Sequence, residues 1–327
     1  MTPLIALPAA TLPVADFDHL PPLPMLSAML CAATRLPAAT DWRSGVQALC
    51  AGAAGAASMT EMAACALTDV AQGTAVCLVT PVHAVVGISR VFLAPGDQAL
   101  LAPVERESLR EAFNDEFGTD AMHLHAVGSS WLLQAPFAAA ASDANPEHLQ
   151  GAALARDPAR TEQARALRRL GAEVEMWLSA LPLNRDREAR GMAPINCFWF
   201  WGGAHAGGLL PSQQRPVAMF SNVEADAWQT GLARYFGLPL PARVRVWSDV
   251  TQLGGALVVL QPPGQGDSLT HLTAWESDWF EPAWRDVRAA VLPALRLQIG
   301  AQAWQLPAPR IRRWLRRARP WWQQVQT

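Results

Sequence analysis

Pro182-Leu-Asn-Arg-Asp-Arg-Glu-Ala-Arg-Gly-Met-Ala-Pro-Ile-Asn-Cys-Phe-Trp-Phe-Trp-Gly-Gly203 sets a polar stretch, punctuated by proline and glycine, directly against a run of aromatics. It reads as an irregular polar loop, then a buried strand over Ile195 to Trp201, then a glycine turn at Gly202-Gly203. In an α/β protein, the carboxyl end of a strand and the loop beyond it form the usual ligand crevice. An apolar strand met by a polar loop therefore marks both a fold class and a place to look for function.

The pattern outward from this stretch supports the same class. Upstream, residues 161–181 form a helix with Val174, Trp177, Leu178 and Leu181 apolar, and Pro182 ends it. Downstream, Pro216 to Phe220, Val244 to Trp247 and Ala256 to Leu260 read as short apolar strands, alternating with helices near 225–236 and 276–292. Such alternation favours a mostly parallel sheet with flanking helices. Further upstream, strands at 75–80 and 84–93, a helix at 103–117 and strands at 122–127 and 130–134 make a small α+β subdomain. Residues 25–70 are rich in Ala, Leu and Met and read as two or three helices, while the proline-rich residues 1–24 read as irregular surface chain. The expectation is an α/β fold with a small α+β subdomain and a helical N-terminal extension, divided at 1–72, 73–150 and 151–327.

Composition narrows the chemistry. The chain has 327 residues, 51% of them hydrophobic, and a net charge of −2. No global field draws nucleic acid, and no nucleic-acid partner is expected. All 26 basic residues are arginine, so a lysine nucleophile, a lysine Schiff base and a P-loop lysine are excluded. Cys31, Cys50, Cys65, Cys77 and Cys197 are scattered and never paired as C-x-x-C, which predicts reduced thiols in a cytoplasmic protein rather than a disulfide or zinc framework. The apolar N-terminus has no basic residue before Arg35 and does not read as a signal peptide. No apolar run approaches the roughly 18 residues that span a bilayer.

The spacing of Pro182, Asn184, Arg187, Gly191, Pro194 and Asn196 resembles the P-x-N-x-x-R-x-x-x-G-x-x-P-x-N element of archaeal-type cofactor-independent phosphoglycerate mutases, in the alkaline phosphatase superfamily. The wider pattern, through Trp199, Trp201, Gly202 and Gly203, is similar to a proteobacterial group of phosphoglycerate-mutase-like, RpfE-type regulatory proteins. The resemblance covers about residues 75–320. It implies a serine nucleophile and two divalent metals, Mn or Zn, held by Asp and His. Several positions depart from that pattern. The early Asp-Gly that opens the metal site is missing, as is the late Asp-His pair, since Asp18-His19 lies at the wrong end of the chain. Trp201 stands where the resemblance implies an arginine. Asp267 and His271 keep a D-x-x-x-H ligand spacing and are the candidate remnant of a metal site. The resemblance thus points to a catalytically degenerate relative that needs no cofactor and serves in regulation or binding. The alternative is an active metal-dependent mutase or phosphatase.

Asn184, Arg187, Asn196, Gly202 and Gly203 are the candidate ligand residues. Arg187 offers a planar fork for a phosphate or carboxylate. The structural alternative is that the asparagines bond loop backbone and Arg187 pairs with Glu188 or Asp186. A protein partner is the other candidate occupant. His123 and His125 would share one strand face, but no acid or cysteine stands beside them in sequence, so an ordinary edge-strand face is the favoured reading. The run Arg310 to Trp322 carries six arginines between Arg310 and Arg319 and reads as a terminal helix docked by its tryptophans; a membrane surface is the weaker reading.

Overall fold

The computed structural model describes residues 2–8, 20–51, 57–86, 91–94, 100–146, 149, 160–207, 209, 215–250, 254–262, 268–307 and 319–325. The elements run in chain order as β1 (Leu4–Leu7), α1 (Pro24–Ala32), β2 (Thr34–Arg35), α2 (Trp42–Ala51), α3 (Met59–Ala64), β3 (Ala75–Val82), β4 (Ala84–Val86) and β5 (Val91–Leu93). Next come α4 (Pro103–Phe117), β6 (His123–Val127), β7 (Ser130–Gln134), α5 (Glu162–Ala180), α6 (Pro182–Ala189) and β8 (Cys197–His205). The remainder is β9 (Ala218–Ser221), α7 (Ala227–Tyr235), β10 (Ala242–Arg243), β11 (Ala256–Val259), α8 (Ser268–Trp275), α9 (Glu281–Arg288), β12 (Ala294–Ile299), β13 (Gln302–Pro307) and α10 (Trp321–Val325). The chain is α/β, and it divides into two compact units. One comprises residues 1–56, 210–225 and 233–327; the other comprises 57–209 and 226–232. This partition follows packing rather than chain order, and so differs from the serial one expected from sequence.

The first unit is built on a seven-stranded sheet in the order β10-β9-β11-β1-β12-β13-β2. β10, β9, β11, β1 and β12 are parallel, and β13 and β2 are added antiparallel. The N-terminal segment is the main correction here. Leu4-Ile-Ala-Leu7 is not surface chain but a central strand, at most 1% exposed at every position. Parallel strands are covered on both faces and so need an unbroken apolar run. Four such residues suffice here, with Pro3 and Pro8 placed at the strand's limits. The carbonyls of Pro3 and Leu7 still accept from Arg296 N of the neighbouring β12 and from Gly300 N just past its end, at 2.8 and 3.0 Å. α1, α9 and the π-helical turn Glu276–Phe280 press Leu26, Met29, Trp279, Phe280 and Val287 onto Ile5, Leu7, Val258 and Leu297. The expected strand Val244 to Trp247 is also corrected. Pairing stops at Arg243, and Trp247–Asp249 is a 3-10 turn. The Trp247 indole N–H donates to Asp286 at 2.7 Å, and that contact holds the turn.

The second unit is an antiparallel sheet in the order β6-β7-β3-β8. One face packs Cys77, Val79, Trp131, Leu133 and Phe198 against Leu109 and Phe113 of α4 and Leu170, Val174 and Leu178 of α5. The other face packs Val76, Leu78, Leu132 and Trp201 against Ala63 and Ala64 of α3 and Ala227 at the start of α7. α3 begins at a capping box: Ser58 Oγ accepts from Glu61 N at 3.1 Å, and the Glu61 carboxylate accepts from Ser58 N at 2.7 Å. The expected strand over 84–93 is instead two short strands, β4 and β5, paired antiparallel with each other, while β3 continues through Pro81 to Val82. Among the described residues no helix is long and apolar enough to cross a membrane. Residues 308–318, which hold most of the arginine run, lie outside the described residues. Trp321, just beyond them, is buried, with its indole N–H donating to Pro21 O at 3.1 Å.

All five cysteines are free. Burial pushes the Cys50 thiol up to about 12, with Arg296 opposing, and pushes Cys77 higher still. The thiolate is the reactive form. Iodoacetamide at pH 8 is therefore expected to leave Cys50 and Cys77 unmodified in the native chain and to label both after denaturation. Peptide mass spectrometry checks this, and early labelling of either would contradict the burial.

Candidate functional site

The opening stretch is helical where a loop is expected. Pro182 is the first residue of α6, where its missing N–H has no partner to lose. Gly191 ends the helix with φ of +72°, the left-handed conformation that glycine adopts at least cost. Gly191 N donates to Glu188 O and Met192 N to Arg187 O, both at 2.9 Å. Pro194 then follows in the extended connection to β8. The two prolines and the glycine are thus start and stop signals of one short helix. Its polar composition hides it, since only Asn184 and Arg187 are buried.

Asn184 and Arg187 lie three residues apart and so share a face of α6. Asn184 Nδ2 donates to Leu178 O and Ile195 O, each at 2.8 Å, and Oδ1 accepts from Ile195 N at 2.8 Å. It therefore ties the end of α5 to the segment entering β8. Arg187 is 0% exposed. Its Nε donates to Ala193 O at 2.9 Å, and one terminal nitrogen donates to Leu100 O at 3.0 Å and to the Glu105 carboxylate at 3.1 Å. The acid that pairs with Arg187 is Glu105 of α4, rather than Glu188 or Asp186. Glu105 also accepts from Ala102 N at 2.9 Å and binds the half-exposed Arg190. Burial alone pushes the Glu105 carboxyl up. The Ala102 N–H, the Arg190 hydrogen bond and the charges of Arg187 and Arg190 outweigh that and hold it below the usual carboxylate range.

Asn196 lies beside Ala84 like another strand. Its Oδ1 accepts from Ala84 N at 2.7 Å, and its Nδ2 donates to Ala84 O at 2.9 Å. Gly202 and Gly203 lie inside β8, not in a turn beyond it. A Cβ on Gly202 would come 2.4 Å from Thr60 Oγ1, and one on Gly203 2.4 Å from Ala139 O. Gly202 N donates to Ser142 O at 2.7 Å, on the outer edge of the strand. Trp201, in the position of the expected arginine, is buried and donates from Nε1 to Thr80 Oγ1 at 2.9 Å.

Of the expected metal pair, Asp267 lies outside the described residues. His271 is on α8 of the first unit, its Nε2 buried and without a hydrogen-bond partner among the described residues. Among the described residues no three of His, Cys, Asp and Glu stand together to hold a metal. Sequence reasoning missed Glu105. The available signal was an acid at the third position of a proline-started helix, the place where such residues cap.

No protein-family model matches the sequence, and a comparison with curated proteins gives no match. Solved structures do align. The PH0037 protein from Pyrococcus horikoshii superposes with a TM-score of 0.51 at 13% identity, over 94% of this chain and 87% of its own. The cofactor-independent phosphoglycerate mutase of Thermoplasma acidophilum aligns with a TM-score of 0.39 at 13% identity, over 93% of this chain and 88% of its own. At this identity the PH0037 likeness is one of fold alone.

Proposed function

We propose that this chain is a phosphoglycerate-mutase-like protein that does not carry out phosphoryl transfer and acts by binding, in a regulatory role. The carrying observation is the end of β1. This strand of the parallel sheet runs from Leu4 to Leu7 into Pro8-Ala9-Ala10, without the Asp-Gly by which the resemblance would open a metal site. Trp201 adds to it, an apolar ring packed in the core where the resemblance implies a cation. Purified protein supplied with Mn2+ or Zn2+ is expected not to interconvert 2- and 3-phosphoglycerate. Turnover abolished by a chelator and restored by metal would overturn the proposal.

The stretch from Asn184 to Gly203 is the proposed address of the partner, either a small phosphorylated or carboxylate ligand or another protein. Within it Arg187, Asn184 and Asn196 keep the shape, since the polar atoms described above are engaged by backbone and by Glu105. Calorimetric titration with 3-phosphoglycerate separates the occupants. Saturable heat supports the small anion, and a flat titration removes it in favour of a protein. An active metal-dependent enzyme is the second reading, favoured by one observation. His271, four residues after Asp267 in sequence, carries a buried Nε2 with no hydrogen-bond partner among the described residues, as an imidazole waiting for a ligand would.

A further inference from the structure

On the second unit, apart from the α6 stretch, His123 and His125 of the edge strand β6 stand with ring centroids 4.7 Å apart at an interplanar angle of 65°. That separation has room for a shared ion. A metal–nitrogen bond of about 2.1 Å puts each ring centroid about 3.2 Å from the ion, and ligand angles near 90–110° then set the rings about 4.5–5.2 Å apart.

The surroundings add two further features of a built site. His125 Nε2 lies 3.1 Å from Gln134 Oε1. An amide oxygen only accepts, so the bond fixes the N–H on Nε2 and leaves the lone pair on Nδ1. Ligating histidines are oriented in this way, by a carbonyl or carboxylate behind the ring. Gln134 reaches His125 diagonally across the β6–β7 ladder, being directly opposite His123. The residue between the two histidines is also held. Leu124 N donates to Asn114 Oδ1 at 2.8 Å, and Asn114 Nδ2 donates to Leu124 O at 2.9 Å and faces His123 Nε2 at a long 3.5 Å, a contact that an ion bound at that nitrogen would replace. An edge strand is thereby pinned where it would otherwise present loose peptide groups.

We propose that His123 and His125 form a two-imidazole site for one divalent ion of the imidazole-seeking first-row series (Cu2+, Ni2+ or Zn2+), with water completing the shell. Two protein ligands leave open positions, so the ion exchanges freely and binds in the order Cu2+ above Ni2+ and Zn2+. The neutral ring is the ligand form. The site is independent of the proposed function and would survive its failure.

The test is calorimetric titration of the full chain with CuCl2 and with ZnCl2. One equivalent is expected to bind, copper more tightly. His123→Ala and His125→Ala are each expected to weaken binding about tenfold or more, and Gln134→Leu by about 10–100-fold through loss of the oriented ring. The exposed His205→Ala, at the far end of β8, is the control and is expected to bind as wild type. His123 is exposed, so its replacement leaves the fold intact. Unchanged affinity in the His123→Ala/His125→Ala double variant, or no saturable binding by wild type, would overturn the site.

Discussion

Arg187→Ala is expected to destabilise the second unit by about 3–5 kcal/mol, the range for breaking one side of a buried ion pair. Three losses coincide. The Glu105 carboxylate keeps the Ala102 N–H and, as an opposite charge among the described residues, only the half-exposed Arg190. The carbonyls of Ala193 and Leu100 lose their donors, and a buried acceptor left unmade costs about 1–3 kcal/mol. A guanidinium-sized void opens at a position with 0% exposure. Arg187→Lys is expected to recover little of this. An ammonium is a point charge on a flexible stem and cannot serve Ala193, Leu100 and Glu105 in the plane of one fork. Glu105→Gln removes the carboxylate that faces the buried Arg187 and keeps only a neutral acceptor there. It too is expected to be strongly destabilising, and not additive with Arg187→Ala, because the two act in one cluster. Urea melts followed by circular dichroism give the stability, and hydrogen exchange gives the location. α6 and residues 190–196 should lose protection first. A midpoint for Arg187→Ala within error of wild type would show that the cluster is not what holds the segment.

This expectation rests on a cluster that the sequence discloses only in part. The spacing of Pro182, Asn184, Arg187, Gly191, Pro194 and Asn196 is visible in the string, and so is the apolar strand after it. What the spacing encodes is a short helix and the ties that hold it, and these ties reach far along the chain. Arg187 meets Glu105 across 82 positions, and Asn196 meets Ala84 across 112. No local pattern reports such partners. Periodicity does report the long elements. The helix over 161–181, the helix over 103–117 and the pair 122–127 and 130–134 are legible because each repeats its apolar positions over several turns or pleats.

Short buried elements defeat the same reasoning for a physical reason. Leu4–Leu7 has no alternation to detect, because both of its faces are covered, and its bounding prolines imitate loop punctuation. Gly202-Gly203 reads as a turn because glycine usually marks one. Here the residues are demanded by the nearness of Thr60 and Ala139 to a continuing strand. The strength of the α6 stretch as a functional clue changes accordingly. Its glycines and asparagines each have a structural task that accounts for them, so a ligand at this place has to be shown by binding and not by the residue types alone.

Gly231 carries the second large expectation, and its sign goes against helix propensity. It lies in the middle of α7, where alanine is ordinarily better than glycine by about 1 kcal/mol. A Cβ there, however, would stand 1.8 Å from Met62 O, 2.7 Å from Met62 C and 3.0 Å from Ala63 Cα. These are backbone atoms of α3 and have no rotamer to change. The Met62 carbonyl is further held by accepting from Cys65 N at 3.1 Å, and α3 is fixed at its start by the Ser58–Glu61 capping box. Either helix must move, and α3 is packed on the sheet through Ala63 and Ala64, beside Leu78 and Trp201. Overpacking of this kind costs about 1–3 kcal/mol, and more where backbone must shift. Gly231→Ala is therefore expected to lower stability by about 2 kcal/mol or more, even after the gain in propensity. Gly171→Ala is the matched control. It is also a helix-interior position, in α5, but the nearest atom to a new Cβ is a ring carbon of Phe200 at 4.0 Å, an ordinary contact. There propensity acts unopposed, and a gain of up to about 1 kcal/mol is expected. Chemical melts of the two variants beside wild type decide the matter. Opposite signs would show that the approach of α7 to α3 sets the outcome at Gly231, and a stabilised Gly231→Ala would show that the helices are farther apart than this geometry requires.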